Sequence, residues 1–410
     1  MGIEEQFRRF EKFIKTDLPA QKSLHLDKIS QDLSAGIRET PEGNFLVKET
    51  IYGPGDLHGQ FSFSDLDLSH PLRFDSFSCP PDEGTFNLKN IVVIDTETTG
   101  LSGGVGTVPF LVGLGFFRDG TYVVRQHFLP DYSEEHGFYK YMFDDLPGNM
   151  IVSFNGKAFD LPLLTNRFLI QRTGSEFFSR KHLDVLFTLR RFFRLKLPDC
   201  TLKTAERALL EFERLNDIPS EQIPQTYFNY LQTGETSEIY QVIKHNIWDI
   251  VSTMGVMVEL ERYVESAEKM DKLSDVDSWA IGKFYLQRKD YDRAFSSFSR
   301  SEGTEQEFHF KNLFQASMIS KKLCDFETAV SYWKMLSESF NPHYFAALEE
   351  MAKLFEHRSR EFDKAISCCR RALDSIYQVS QLHDQADFEQ WQTRFSHRLS
   401  RLQTKSSKSK

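Results

Sequence analysis

The most constraining feature of the sequence is a short apolar run, Ile91 to Ile94, that is followed directly by acidic residues. A continuous apolar run of this length is typical of a strand buried on both faces of a sheet. Two further strand candidates begin at Val108 and Thr121, and the Asp-Gly pair at 119–120 predicts a tight hairpin between them. Another strand is expected at Met150 to Phe154. Helical stretches are expected near Glu134 to Phe143, after Leu161, around Leu186 and from Thr201. We therefore predict an α/β domain with a mixed central sheet flanked by helices.

The last third of the sequence is helical and repetitive. An acid-aromatic-x-x-Ala-x-x-x-large pattern occurs at Asp290 to Phe298, Asp325 to Trp333 and, with its large position replaced, Glu361 to Cys369. Its aromatic positions are 35 and then 36 residues apart, as in helix-turn-helix repeats that stack through small residues. These residues resemble the tetratricopeptide repeat, whereas the cysteine at the third large position leaves an unrelated helical bundle as the alternative. A protein partner would bind the concave face of such repeats.

Length and local texture predict the domain organisation. At about 150 residues per domain, 410 residues form two or three domains. We divide the chain into a lead-in segment of mixed helix and hairpins (1–89), the α/β domain (90–262), an all-α region of tetratricopeptide-like repeats (270–388) and a basic tail (394–410). The tail is rich in Ser and Lys, which predicts disorder and nonspecific contact with nucleic acid. His58, in a turn of the lead-in, is expected at the surface.

Composition excludes several classes of protein. The sequence contains neither an apolar run long enough to span a bilayer nor an N-terminal signal peptide, so a cytoplasmic location is expected. The five scattered cysteines offer neither a disulfide framework nor zinc-knuckle spacing. A net charge of -9 argues, on average, against a generic nucleic-acid binder.

Asp95 and Glu97 follow the buried apolar run. Side chains two residues apart on a strand point to the same side, so these carboxylates can converge. Such a pair is costly unless a cation neutralises it, and oxygen-rich sites suit Mg²⁺ or Mn²⁺. An Asp-x-Glu is expected about twice by chance in this composition, so the pattern is weak alone.

Further acidic residues occur in matching contexts. Asp160 follows a short apolar strand and a turn and begins a helix, where capping of that helix is the alternative role. His245 and Asp249 lie one turn apart on a helix, where a solvated i, i+4 pair is the alternative. The opposite face of that helix is apolar, with Ile243, Ile247, Ile250, Met254 and Met257.

Together these residues resemble the DEDD-type 3′-to-5′ exonucleases, which have a ribonuclease H-like fold. Asp95 and Glu97 match the first motif of that superfamily, and Asp249 with His245 matches the third. The segment from Asn155 to Arg167, with its acid at Asp160, resembles the second motif of family B polymerase proofreading domains. The repeats and the stretch Leu101 to Thr107 make the sequence most similar to the bacterial YprB-type predicted exonucleases.

The resemblance implies hydrolysis of a phosphodiester bond with two Mg²⁺ or Mn²⁺ ions. The implied metal ligands are Asp95, Glu97, Asp160 and Asp249. His245 would orient or deprotonate the attacking water. It stands four residues before the acid, which is the spacing of the tyrosine version of the superfamily, so its role as base is less firmly implied.

Contacts with a single-stranded 3′ end of nucleic acid are expected in two places. The backbone amide of Thr96 and Asn155 would position the terminal nucleotide. A basic segment between Arg180 and Lys196 interleaves cations with aromatic rings, as single-strand binding requires. Its relevant residues are Arg190, Arg191 and Arg194 among Phe187, Phe192 and Phe193. A solvated basic helix face is the alternative.

Two rival functions are considered. A haloacid-dehalogenase-like phosphatase also begins with an acid at a strand end, but its later Lys and acidic pair have no match here. The stronger rival is a non-catalytic scaffold that keeps the exonuclease-like fold, binds nucleic acid and recruits a partner through its repeats. No residue can be assigned to a 2′-hydroxyl contact, so DNA and RNA both stay open as substrates.

Overall fold

The computed structural model describes residues 26–69, 87–100, 106–144, 146, 148, 150–173, 179–380 and 388–409. Residues 1–25 and 70–86 of the predicted lead-in segment, and residues 101–105 of the stretch that ends at Thr107, lie outside these ranges.

The chain divides into two compact units, Met1–Arg262 and Tyr263–Lys410. The first holds the sheet, and the second is helical. The strands are β1 Gly36–Arg38, β2 Phe45–Tyr52, β3 Leu57–His58, β4 Phe61–Ser62, β5 Ile91–Thr98, β6 Pro109–Arg118, β7 Thr121–Phe128, β8 Met150–Ser153 and β9 Lys181–Asp184. The helices up to the end of the sheet unit are α1 Leu26–Leu33, α2 Glu135–Tyr141, α3 Asp160–Gln171, α4 Val185–Phe193, α5 Leu202–Ala205, α6 Ile223–Thr233 and α7 Ser237–Lys269, the last of which continues into the second unit. Those that follow are α8 Asp275–Gln287, α9 Tyr291–Ser299, α10 Gln306–Lys322, α11 Phe326–Leu336, α12 Tyr344–His357, α13 Phe362–Ser380 and α14 Glu389–Ser409.

The mixed sheet predicted from the sequence is confirmed. Within the described residues seven strands form one sheet in the order β1-β2-β7-β6-β5-β8-β9. Neighbouring strands in the part β1-β2-β7-β6-β5 of this order pair antiparallel. Strand β5 pairs parallel with β8, and β8 pairs parallel with β9. The β6–β7 hairpin turns at Asp119 and Gly120, which both have positive φ, as a two-residue hairpin turn requires. The apolar run Ile91 to Ile94 is fully buried at the centre.

The boundary expected at residue 90 does not separate a lead-in segment from the sheet. Strand β2 pairs along nearly the whole of β7, from Leu46 opposite Phe128 to Tyr52 opposite Tyr122. It covers an edge that would otherwise present unpaired backbone groups. The surface position expected for His58 is also wrong, because its ring is buried and contacts the hydroxyl of Ser252 at 2.8 Å.

Helix α7 lies against β6 because that strand has a glycine at the contact. Gly113 pairs with Asp95 of β5. A Cβ atom at Gly113 would lie 2.2 Å from the side-chain oxygen of Asn246 and 2.3 Å from Ile250. The missing side chain thus lets α7 bring its polar residues to the strand that carries the first acidic motif.

The second unit confirms an all-helical C-terminal region. The repeated small residues Ala294, Ala329 and Ala365 are fully buried, and so are the large positions Phe298, Trp333 and Cys369. Asp290 and Asp325 cap the helices that begin at the next residue. The tetratricopeptide-like pattern therefore coincides with the packing surfaces of consecutive helices.

The disordered tail expected over 394–410 is not found where the structure describes it. Residues up to Ser409 belong to α14, whose Phe395 and Leu402 are buried in the core of the second unit. Its basic side chains pair with buried acids of α12: Arg394 with Glu349, and Arg398, Arg401 and Lys405 with Glu356. Apolar burial and charge pairing together order a segment whose composition alone predicts disorder.

None of the helices in the described ranges has both the length and the apolar character needed to cross a membrane.

Candidate active site

The first acidic motif lines a cavity at the end of β5. This cavity has a volume of about 380 Å³, and its walls include Asp95, Glu97 and Asp160. The pairing of β5 with β6 shifts register between Glu97 and Thr98, an irregularity of the kind that re-aims side chains next to functional sites. The structure therefore brings three of the four predicted metal ligands to one opening.

Asp160 is oriented by the strand that carries the other two acids. Its Oδ1 accepts hydrogen bonds from the Thr96 amide at 3.0 Å and the Thr96 hydroxyl at 2.6 Å. These bonds place the first residue of α3 against β5. In this structure the Thr96 amide, which the sequence predicts to position a nucleotide, donates to Asp160.

Asp95 is held from the opposite side by a buried amide chain. The Asn246 side-chain amide donates to Asp95 Oδ2 at 2.7 Å, and the Asn246 oxygen accepts from Gln126 Nε2 at 2.8 Å. Asn246 and Gln126 are both buried. Gln126 also donates to the backbone oxygen of Ile243 at 2.9 Å, which links β7, α7 and β5 in one network.

Helix α7 brings His245 and Asp249 to Glu97. His245 Nε2 lies 3.2 Å from Asp249 Oδ2 and 4.0 Å from Glu97 Oε1. One potential ligand atom from each of these residues lies within 4.8 Å of the other two. The His245–Asp249 pair is therefore not a solvated helix pair: the histidine side chain is 5% exposed.

The segment between the second and third acidic motifs contributes residues that sequence reasoning missed. Arg214 binds Asp249 Oδ1 and makes a forked contact with Glu206. Asp217 Oδ1 lies 2.6 Å from His245 Nδ1. Glu206 begins a single helical turn, and Arg214 and Asp217 are isolated charged residues of the loop after it, so no periodic pattern in the sequence could have selected these three.

Burial and like charge dominate the electrostatics of the acidic residues. Burial, together with neighbouring carboxylates, raises the pKa of Asp95 well above its usual value and that of Glu97 to about 8. Burial also raises the pKa of Asp160 to about 6, although hydrogen bonds from Thr96 oppose the change. Burial would raise the pKa of Asp249 too, but Arg214 and His245 outweigh it and hold this pKa below its usual value.

His245 has an acidic environment. Burial lowers its pKa, but the hydrogen bonds to Asp217 and Asp249 and the charge of Glu97 prevail and raise it to about 11. Positive charge bound by the same carboxylates would weaken this stabilisation of the imidazolium.

The donor set fits divalent cations of the Mg²⁺ and Mn²⁺ type. Asp95, Glu97, Asp160 and Asp249 offer oxygen ligands only, which these ions prefer. The raised pKa values of the first three show that the folded chain concentrates more negative charge than it neutralises there. A cation would lower the cost of that concentration.

Asp184, which caps α4, links the basic segment to the wall of the cavity. Its carboxylate accepts from the amides of Asn155 and Lys157 at 2.8 and 3.1 Å and from that of Leu186 at 3.1 Å. Asn155 itself lines the cavity. The exposed residues of α4 and its end are Phe187, Arg190 and Arg194. Phe192 and Phe193 are instead buried, so of the predicted aromatic set only Phe187 presents a ring to solvent.

Comparisons with known proteins give a family match and a similar bacterial relative. Residues 92–261 match the family model of the RNase H superfamily. The chain is 30% identical over 348 residues to the uncharacterized protein YprB of Bacillus subtilis (strain 168), with 82% of each chain covered. Among solved structures, the family B DNA polymerase of the hyperthermophilic archaeon Pyrobaculum calidifontis aligns with a TM-score of 0.34 and 12% identity. That alignment covers 59% of this chain and 30% of the polymerase.

Proposed function

Because the chain belongs to the RNase H superfamily and to the family of Bacillus subtilis YprB, we propose that it is a metal-dependent nuclease that removes nucleotides from the 3′ end of nucleic acid. Membership of the superfamily supports nuclease chemistry in general. The observation that carries the proposal is the meeting of Asp95, Glu97 and Asp160 at one cavity, with His245 and Asp249 beside Glu97.

The proposed metal ligands are Asp95, Glu97, Asp160 and Asp249, and the proposed ions are two Mg²⁺ or Mn²⁺. Bound ions would supply charge neutralisation and make a water molecule more acidic. The chain's own contribution is to hold the carboxylates in place before any ion arrives. Asn246 fixes Asp95, Thr96 fixes Asp160, and Arg214 fixes Asp249.

His245 is the proposed group that orients the attacking water or accepts its proton. Its Nε2 faces Glu97 and Asp249, so a water at these carboxylates would be within its reach. The proton that these acids hold on the ring must leave before the ring can act as a base. Neutralisation of the carboxylates favours that loss.

The strand that is cleaved is proposed to approach across the turn and helix beside the cavity. Asn155 lies in the cavity wall, and the exposed Phe187, Arg190 and Arg194 lie at spacings of one and two helical turns on and just beyond α4. Arg191 is the third proposed cation of this surface. A ring for base stacking and cations for phosphates are the elements of sequence-tolerant single-strand binding.

Substitution of Asp95 tests the proposed activity. Asp95→Ala and Asp95→Asn should reduce Mn²⁺-dependent release from a 3′-labelled single strand by at least about 100-fold, because a ligand for charge stabilisation is lost. The control Asp119→Asn changes an exposed hairpin acid whose positive φ suits asparagine and should retain parental activity. Thermal melts check folding, and equal release by a folded Asp95→Ala protein and the parent would refute the proposal.

One observation favours the non-catalytic scaffold as a second candidate. Both oxygens of Asp249 already have partners, Arg214 on one and His245 on the other, so this carboxylate is balanced without an ion. A scaffold would bind single-stranded nucleic acid equally well with EDTA and with Mn²⁺, and the parent would release no nucleotide. Fluorescence anisotropy with a labelled strand, run beside the release assay, separates the two functions.

A further inference from the structure

The loop between Glu211 and Pro219 reaches the candidate site from outside the three acidic motifs. Two of its residues have positive φ, Glu211 at 48° and Asn216 at 56°, a backbone region that asparagine tolerates better than most residues. Between and after them, Arg214 and Asp217 turn buried side chains toward α7; these are 4% and 8% exposed. The loop is thus shaped to deliver two charged groups to the helix that carries His245.

Asp217 makes the shortest polar contact to the histidine ring. Its Oδ1 lies 2.6 Å from Nδ1, and on the other side of the ring Nε2 lies 3.2 Å from Asp249 Oδ2. The two nitrogens of an imidazole point in different directions, so a partner for one determines what the other can face. With Nδ1 held by Asp217, Nε2 is directed to the acidic site.

Two cations, Lys203 of α5 and Arg214 of the same loop, lie beside the other carboxylate oxygen of Asp217. Lys203 Nζ lies 3.0 Å from its Oδ2, and Arg214 Nη1 lies 3.5 Å from the same oxygen. Arg214 is in turn anchored by its two contacts to Glu206 at 3.0 and 2.9 Å. The cations at Oδ2 of Asp217 therefore hold in place the carboxylate whose Oδ1 faces His245.

The hairpin formed by β3 and β4 contacts the same loop. The amide of Gln60 donates to the backbone oxygen of Leu210 at 2.7 Å, and the ring of His58 lies 3.8 Å, centroid to centroid, from that of Phe212. These contacts join the start of the loop to strands β3 and β4. The segment before the acidic motifs thus contributes indirectly to the geometry of His245.

We propose that Asp217 is a positioning residue for hydrolysis, which holds His245 with Nδ1 protonated and Nε2 directed to Glu97 and Asp249. The inference rests on the nuclease activity proposed above and adds to it a residue outside the acidic motifs. Partners of this kind fix the tautomer and orientation of functional histidines, and their loss costs roughly 10- to 100-fold in affinity or activity at metal sites. A carboxylate that only stapled the loop would influence stability but not the direction of the ring.

Steady-state kinetics provide the first test. Asp217→Ala should lower kcat by about 10- to 100-fold and leave KM within about twofold, because the substrate surface is untouched. Asp217→Asn keeps the shape and an acceptor oxygen, so it should retain more activity than Asp217→Ala. The control Glu213→Ala removes an exposed acid of the same loop and should match the parent.

The direction of the ring is read independently of activity by nitrogen-15 NMR of the histidine side chains. The resonances of His245 are identified as those that are missing from the spectrum of the His245→Gln variant. The parent should show a hydrogen-bonded Nδ1 proton that Asp217→Ala lacks. If Asp217→Ala does not fold, Asp217→Asn carries the comparison, with a weakened Nδ1 hydrogen bond and a lower kcat expected.

The two failures are distinguishable. A parent that releases no nucleotide refutes the proposed function, while the NMR comparison still decides whether Asp217 orients the ring. An active parent whose folded Asp217 variants keep parental kcat, or raise KM alone, overturns the positioning role. Identical His245 resonances in the parent and the folded Asp217 variant overturn it as well.

Discussion

At the scale of single residues, the acidic site is organised by hydrogen bonds from neutral side chains. Asp160 and Asp95 both lie in a buried environment that disfavours their charge, and each has a neutral donor, Thr96 for one and Asn246 for the other. Such donors orient a carboxylate and favour its ionised form without adding net charge. They explain how like charges can be kept together in a folded chain.

Thr96→Val tests this role. The substitution removes the hydroxyl that donates to Asp160 at 2.6 Å and keeps the β-branched shape that suits a strand. The hydrogen bond from the backbone amide of residue 96 to Asp160 is retained. We expect nucleotide release to fall by roughly 10-fold, with little change in thermal stability. Within the described part of the chain, the hydroxyl of Thr98 on the same strand donates to the backbone oxygen of Gly100 rather than to an acidic side chain, so Thr98→Val should keep parental release. Equal rates for the two variants would contradict the role of Thr96.

Arg214 carries a larger share of stability than its position in a loop suggests. Its guanidinium neutralises the buried acids Glu206 and Asp249. Arg214→Met would leave both acids without this cationic partner. Breaking a buried ion pair in this way lowers the free energy of unfolding by about 3–5 kcal/mol. Urea unfolding should show a loss of this size, whereas Arg207→Met, at an exposed position, should change stability by less than about 0.5 kcal/mol. A loss below about 1 kcal/mol for Arg214→Met would show that the pair contributes little.

At the scale of secondary-structure elements, the approach of α7 to β6 depends on Gly113. Its pairing with Asp95 places the contact directly beside the acidic motif. A methyl group there would overlap the Asn246 side chain and Ile250, so helix and strand must separate.

Gly113→Ala should therefore destabilise the protein by about 1–3 kcal/mol, the usual cost of overpacking. It should also weaken Mn²⁺ binding, because Asn246 no longer reaches Asp95. Urea unfolding and isothermal titration with Mn²⁺ measure these effects. Gly120→Ala, in a hairpin turn with open space around the glycine, is the control: it strains the turn but should leave Mn²⁺ binding unchanged. Parental Mn²⁺ affinity in Gly113→Ala would contradict this account of the contact.

Elements with strong local signals were predicted from the sequence, and elements held by tertiary contacts were not. The apolar run of β5 and the Asp-Gly turn after β6 define their structures locally. Strand β9, with the sequence Lys-His-Leu-Asp, is short and polar and forms through its pairing with β8. Helix α14 likewise pairs its basic side chains with acids of α12 that are distant in sequence.

At the scale of the whole molecule, each unit has its own concentration of buried charge. In the second unit, the fully buried side chain of Glu356 pairs with Arg398, Arg401 and Lys405, and the ring of His357 lies 3.4 Å from its Oε2. Burial opposes its charge, but these cations prevail and lower its pKa from the usual value near 4.5 to about 2. The stability it contributes is present above the unfolded-state pKa and is lost as the pH falls from about 4.5 toward 2.

The shift corresponds to roughly 3 kcal/mol of unfolding free energy at neutral pH. Glu356→Gln should remove it at pH 7 and have a much smaller effect near pH 2, where Glu356 of the folded parent is about half protonated. Urea unfolding monitored over pH 2 to 7 tests this, and Glu338→Gln, at an exposed position, should follow the parent at every pH. A constant difference between Glu356→Gln and the parent across the range would contradict the linkage.

For the candidate site as a whole, the sequence predicted the chemical groups and missed their supports. Asp95, Glu97, Asp160, His245 and Asp249 could be selected because each lies in a recognisable local context. Asn246, Arg214 and Asp217 could not, because their roles arise only when β5, α7 and a loop meet. The hydrogen bond from the amide of Thr96 to Asp160 is likewise a tertiary contact that no local pattern predicts.

The most direct test of the proposed activity is digestion of 5′-labelled single-stranded DNA and RNA by the parent protein with Mn²⁺, Mg²⁺ or EDTA. The account predicts a ladder that shortens progressively from the 3′ end of at least one of these strands, with mononucleotide products, in the presence of a divalent ion and not in EDTA. Intact strands under all metal conditions, or cleavage that persists in EDTA, would contradict it.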